Sequence, residues 1–198
     1  MEGAFLLTFD DGFRGVWEHA LPVLEKLGWP FTVFLVSDLI GGDDVWTRSS
    51  NPAGITFPLL DAKEIRDMQG RGCSFHSHTR SHASLTTLDN GELADQLAGS
   101  REALADLLGH EVRYIAYPYG HLDERVEAAT RAAGYRAAFA TQPGFNRRDV
   151  NCFVSAFAGS IFSARIRRPC CCGNSNSEAT MAAWGTPCAI TWRVWPAA

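Results

Sequence analysis

Short apolar runs of β type alternate with amphipathic helical stretches along most of this 198-residue chain. That alternation restricts the fold more than any other feature, because it calls for parallel βαβ units. Residues 4–8, 31–36, 73–75, 113–117 and 135–141 read as strands. The run 31–36 is apolar throughout, as expected of a strand covered on both faces. Helices are expected over residues 16–27, 61–70, 89–108 and 122–133. In the first of them Trp17, Ala20, Leu21, Leu24 and Leu27 fall at helical spacing. Pro22 lies early enough in that helix to be tolerated, though it can shift the start. Asp61 with Glu64 three residues on has the form of a capping box. Gly28, Gly109 and Gly134 stand where helices should stop. Residues 37–57 form a long loop containing Trp46, and long loops at strand ends often hold substrate.

The length suits one domain, and 46% hydrophobic residues are enough for a sizeable core. A net charge of −4 gives no general attraction to nucleic acid or anionic lipid. The longest apolar runs are far too short to span a bilayer. No basic segment followed by an apolar run is found near Met1, so no secretory signal is read and a cytoplasmic location is the expectation. Six cysteines are present, three of them consecutive at Cys170, Cys171 and Cys172. Without a Cys-x-x-Cys pair they suggest neither a zinc ribbon nor a disulfide framework. Nothing in the sequence bears on oligomeric state.

Chemistry is concentrated in three short stretches. Thr8-Phe9-Asp10-Asp11-Gly12 puts two adjacent carboxylates at the C-terminal end of the first strand, where parallel α/β folds bind ligands. Adjacent Asp side chains repel each other unless a cation or a shared proton relieves them. The plainer reading is a turn, since Asp-Gly pairs are common in loops. His78-Thr79-Arg80-Ser81-His82 spaces two imidazoles four residues apart, so a helical turn would put both on one face. Neutral imidazole and carboxylate are ordinary ligands for Zn²⁺, Mn²⁺ or Co²⁺, and two His with one Asp leave positions open for water and substrate. His76 and His78 form a competing His-x-His pair, so spacing alone leaves the ligand set open. Pro118-Tyr119-Gly120 follows the fourth strand and by itself would be a plain turn.

Together, in this order and on these elements, Thr8–Gly12, His78–His82 and Tyr117–Gly120 resemble three motifs of the polysaccharide deacetylase family, with its NodB-homology domain (carbohydrate esterase family 4). The resemblance covers about residues 4–150. It implies an α/β fold, a distorted or incomplete (β/α) barrel with parallel strands and outer helices. It also implies metal-dependent removal of acetyl groups from N-acetylated sugars or polysaccharides. By position, Asp10 matches the catalytic base, and Asp11, His78 and His82 match the metal ligands, most often of Zn²⁺. Tyr119 matches the residue whose backbone N–H helps bind the oxyanion.

Two departures accompany the resemblance. Ala116 and Tyr117 stand where many members carry an arginine that orients the base. The later tryptophan and Leu-x-His motifs are missing, and no histidine follows His121, which is a substitute candidate for the general acid. Residues 1–150 are therefore expected to form the deacetylase-like domain, and 151–198 an atypical tail rather than a second domain. From about Cys152 periodicity fades. Another reading frame of a GC-rich back-translation of residues 153–180 yields a strand-like basic and apolar alternation. A frameshift is therefore expected there, and it would remove the closing units of the barrel. Two other functions fit the residues: a different metal-dependent barrel amidohydrolase using His76 and His78, and a catalytically impaired sugar- or metal-binding remnant.

Overall fold

A computed structural model describes residues 6–48 and 53–141. Within them lie five strands: β1 (Thr8–Phe9), β2 (Phe31–Leu35), β3 (Cys73–Ser77), β4 (Tyr114–Ala116) and β5 (Ala137–Phe139). They make one parallel sheet in the order β1-β2-β3-β4-β5. A doubly wound sheet reverses direction at a switch point. Here each strand is added beside the last without reversal, which is how a (β/α) barrel is wound. The sheet curls into a half-barrel with its helices.

The helices are α1 (Leu21–Leu27), α2 (Ala62–Gly70), α3 (Asn90–Ala94), α4 (Ser100–Leu108) and α5 (Glu124–Ala132). One face of the sheet, carrying Val33, Leu35, Phe75 and Ile115, packs with Leu24, Ile65, Leu104 and Val126 of the helices in a single apolar core. Pleating sends alternate side chains to the other face, which a barrel turns inward. There Phe34 lies 5.0 Å from Phe139 and His76 lies 4.6 Å from Tyr114, ring centre to ring centre.

Local signals acted largely as anticipated. Asp61 accepts from the N–H groups of Lys63 and Glu64, each at 2.8 Å, while Glu64 reaches back to the Asp61 N–H. Such a cap contributes about 1 kcal/mol. Gly28 and Gly109 close α1 and α4 in the left-handed conformation, φ 65° and 74°. Several boundaries differ. Among the described residues the first strand lies at Thr8–Phe9, one residue past the expected end at 8, and the Leu7 carbonyl accepts from the Thr32 N–H, while residues 4 and 5 of the expected strand lie outside the described residues. The stretch 16–27 opens as a π-helical turn, Val16–Ala20, with Pro22 in the first turn of α1, where it has no N–H to lose. The long helix 89–108 is likewise interrupted by a π-helical turn, Asp95–Gly99. Finally, β3 continues to Ser77 and so takes His76 out of the expected polar turn and into the sheet.

No helix among the described residues is long and apolar enough to cross a membrane. The proposed frameshift and the boundary between residues 1–150 and the tail lie outside the described residues.

Candidate active site

Four non-glycine residues among those described have positive φ: Asp11 (71°), Thr79 (69°), His82 (62°) and Tyr119 (60°). All four lie just beyond the C-terminal ends of β1, β3 and β4. A left-handed L-residue costs on the order of 1 kcal/mol or more, so such a cluster persists only where its surroundings enforce it. Enforcement is visible hydrogen bond by hydrogen bond. The N–H of His78 reaches the Leu35 carbonyl at 2.8 Å, and that of Thr79 reaches the Ser77 hydroxyl at 3.1 Å. Arg80 and Ser81 both donate to the Gln96 amide oxygen, at 3.2 and 3.1 Å, and His82 donates to the Thr79 hydroxyl at 3.2 Å. Every backbone donor of the two-histidine segment is satisfied. The Arg80 guanidinium adds contacts of 3.0 Å to Asp38 and 2.6 Å to Asp95.

This is not the helical turn anticipated from the four-residue spacing. His78 follows the strand directly, and two left-handed residues, Thr79 and His82, fold the chain back until the imidazoles meet 4.9 Å apart.

Asp11 comes to the same place from β1. Its Oδ1 lies 3.3 Å from His78 Nε2 and 3.1 Å from His82 Nε2. One ligand atom from each residue lies within 4.8 Å of the others. Both histidines are buried, with 3% and 6% side-chain exposure. Burial pushes the Asp11 carboxyl up, but the two facing imidazoles outweigh it and hold the group well below the usual carboxylate range. The His78 Nδ1 is 2.9 Å from the Ala116 carbonyl. Donation there leaves the Nε2 lone pair aimed at Asp11, the tautomer that a metal ligand needs.

The donor set fits a divalent cation. Asp11 Oδ1 is buried and has no aligned hydrogen-bond donor despite the two close nitrogens. Three atoms converge on a common point instead of bonding to one another. Ligands about 2.1 Å from a tetrahedral ion stand about 3.4 Å apart, close to the contacts here.

Asp10, next in the chain, keeps its side chain open to solvent on one side while protein crowds the rest. That crowding first, and the neighbouring Asp11 charge after it, raise its carboxyl; His78 and His82 act in the opposite sense. Among the described residues no side chain bonds to the Asp10 carboxylate. Tyr119 is half exposed, at 53%, with its ring edge against His82 at 4.8 Å. Its N–H stays out of the turn's hydrogen bonds, which run from Gly120 to Tyr117 and from His121 to Pro118. Gly120 closes that turn at φ +70°, and a Cβ there would lie 2.7 Å from Thr141 Cβ at the end of β5. His121 is exposed, 5.7 Å from Tyr119 ring to ring, with Nδ1 3.3 Å from the Ser84 hydroxyl.

His76 is not part of this group. It pairs in register with Phe34 and packs on Tyr114. A His76/His78 ligand pair thus loses its geometric basis, because the sheet commits His76 to an aromatic cluster. Burial first, with the charges of His110 and Arg113 adding, pushes its imidazole down to about 4. The unfolded chain takes up this proton near pH 6.5 and the folded one only near pH 4. Folding stability should therefore fall by roughly 1.4 kcal/mol per pH unit as pH drops through that window. Urea unfolding of metal-free protein at pH 7 and pH 5 should show a smaller pH effect in His76→Gln than in the parent. Equal losses would contradict this reading.

Gln96 carries no signal of its own in the sequence, where it is one more polar helix position, and Trp46 is marked only as part of a long strand-end loop of the kind that often holds substrate. In the fold Gln96 clamps the two-histidine segment, and the Trp46 ring stacks on His82 at 4.5 Å and 18°.

A family model described as polysaccharide deacetylase matches residues 2–138. YxkH of Bacillus subtilis (strain 168), a protein named for the same family, is 27% identical over 172 residues, covering 83% of this chain and 57% of its own. The poly-beta-1,6-N-acetyl-D-glucosamine N-deacetylase of Staphylococcus epidermidis is 27% identical over 145 residues, covering 69% of this chain and 47% of its own. The chain thus spans about half the length of these curated relatives. Among solved structures, IcaB from Ammonifex degensii superposes with a TM-score of 0.65 at 28% identity, covering 79% of this chain and 67% of that one.

Proposed function

The chain belongs to the polysaccharide deacetylase family, and on that premise we propose that it is a metal-dependent hydrolase removing acetyl groups from N-acetylated sugars or polysaccharides. The observation that carries the reading is the convergence of Asp11 with His78 and His82, with a second carboxylate, Asp10, beside it.

In this reading Asp11, His78 and His82 hold a divalent ion, zinc in the first instance and cobalt or manganese as alternatives. Bound there, the ion would supply Lewis-acid polarisation of the amide carbonyl and acidify water at neutral pH. Asp11 commits its lone pairs to the ion, which leaves Asp10 as the base. Asp10, whose carboxylate is committed to neither imidazole, accepts a proton from the attacking water. The Tyr119 N–H donates to the oxyanion that forms when water adds to the carbonyl. The leaving amine needs a proton, and two groups can supply it: Asp10 once protonated, and His121 at the rim.

A catalytically impaired binding remnant is the second reading, favoured by the absence of an orienting partner for Asp10 among the described residues. Acetate release separates the two. With zinc present, the chain should release acetate from N-acetylglucosamine oligomers. The β-1,6-linked form is the first substrate to test, since the Staphylococcus epidermidis relative is named for it. A chelator should stop the release and zinc should restore it. No acetate from any N-acetylated sugar, with zinc bound, would leave the remnant reading standing.

A further inference from the structure

His78 and His82 face the same carboxylate but are held differently. The far nitrogen of His78 is anchored at 2.9 Å on the Ala116 carbonyl. The far nitrogen of His82 is buried with no hydrogen-bond partner. Metal-ligating histidines almost always use that nitrogen to fix the ring, and losing the anchor typically costs 10–100-fold in metal affinity. His82 therefore needs another restraint.

The Trp46 ring supplies one. It lies nearly parallel to the His82 ring, 18° apart with centroids at 4.5 Å, while the Tyr119 edge closes in at 4.8 Å. Trp46 is itself well placed to act as a wall. Its turn, Val45–Thr47, is tied down by Asp44, a carboxylate only 2% exposed that accepts from the Phe57 N–H and the Thr47 hydroxyl. Phe13, three residues after Asp10, packs on the Trp46 ring at 6.4 Å. Leu59 bridges to Phe13 on the chain leaving β1, and the neighbouring Pro58 bridges to Asp43, just before the Trp46 turn.

We infer that Trp46 is a positioning residue for the metal site, fixing the His82 ring plane by stacking where no hydrogen bond does so. This rests on the metal-dependent reading above. The flat ring matters in this role and its bulk alone does not, so Trp46→Phe and Trp46→Leu make the test. Zinc affinity is measured by competition with a chromophoric chelator, alongside melting of the metal-free proteins. Trp46→Phe should bind zinc nearly as the parent does, and Trp46→Leu about tenfold more weakly or worse, with the metal-free variants melting together. Equal zinc affinity in Leu, Phe and parent would overturn the role. So would an equal loss in both variants, or a loss in Leu matched by lower metal-free melting. A parent that binds no divalent ion would instead remove the metal-dependent reading itself.

Discussion

Replacing Asp11 with asparagine should abolish tight divalent-ion binding and, with it, acetate release. Asparagine is the informative change because it tolerates the left-handed backbone at this position, φ 71°, where alanine would add strain. It also keeps the side-chain shape and removes only the charge. Two buried imidazoles would then share a neutral amide oxygen, a poor ligand for a borderline cation. Loss of an outer-shell partner already costs up to about a hundredfold in affinity, and loss of the anionic member of the Asp11, His78 and His82 group should cost more. Competition with a chromophoric chelator and acetate assays with added zinc measure the two effects. An Asp11→Asn protein that binds zinc as tightly as the parent would refute the ligand assignment.

Asp10→Asn should give the complementary result: zinc stays bound and turnover falls about 10²–10⁴-fold, the usual worth of a positioned base. The two aspartates are adjacent, so this contrast is demanding. Asp11 turns its oxygen to both imidazoles. Asp10 makes neither contact and keeps its open side to solvent. Removing one negative charge beside the site should change zinc affinity only modestly. If Asp10→Asn lost zinc as completely as Asp11→Asn, both residues would be ligands and the base would have to be sought elsewhere. If turnover were undiminished, Asp10 would take no part in the chemistry.

Much of the scaffold was legible before any coordinates. Val33 and Leu35 lie in an unbroken apolar run because β2 is covered on both sides, and all five of its residues are buried. Asp61 and Glu64 announce the start of α2 by a reciprocal bond that depends only on three-residue spacing. Gly28 and Gly109 mark helix ends because the left-handed conformation costs glycine nothing. Asp123, which caps α5, went unread since no acidic or amide partner stands three residues on. The end of β3 was misjudged because His76 is polar by type, whereas the sheet buries it among Phe34 and Tyr114.

The sequence by itself determined the alternating elements, their winding into parallel units and the set of side chains able to bind a cation. Those depend on spacings of a few residues, which local backbone geometry converts directly into structure. Only the tertiary structure brought His78 and His82, and not His76, onto Asp11, made the segment carrying them a loop with two left-handed residues, and set Trp46 and Gln96 against it. These outcomes hang on strand order and on contacts between residues 15 to 71 positions apart. No periodicity records such distances, because the chain between two partners can close the same gap in many ways and only the assembled sheet selects one.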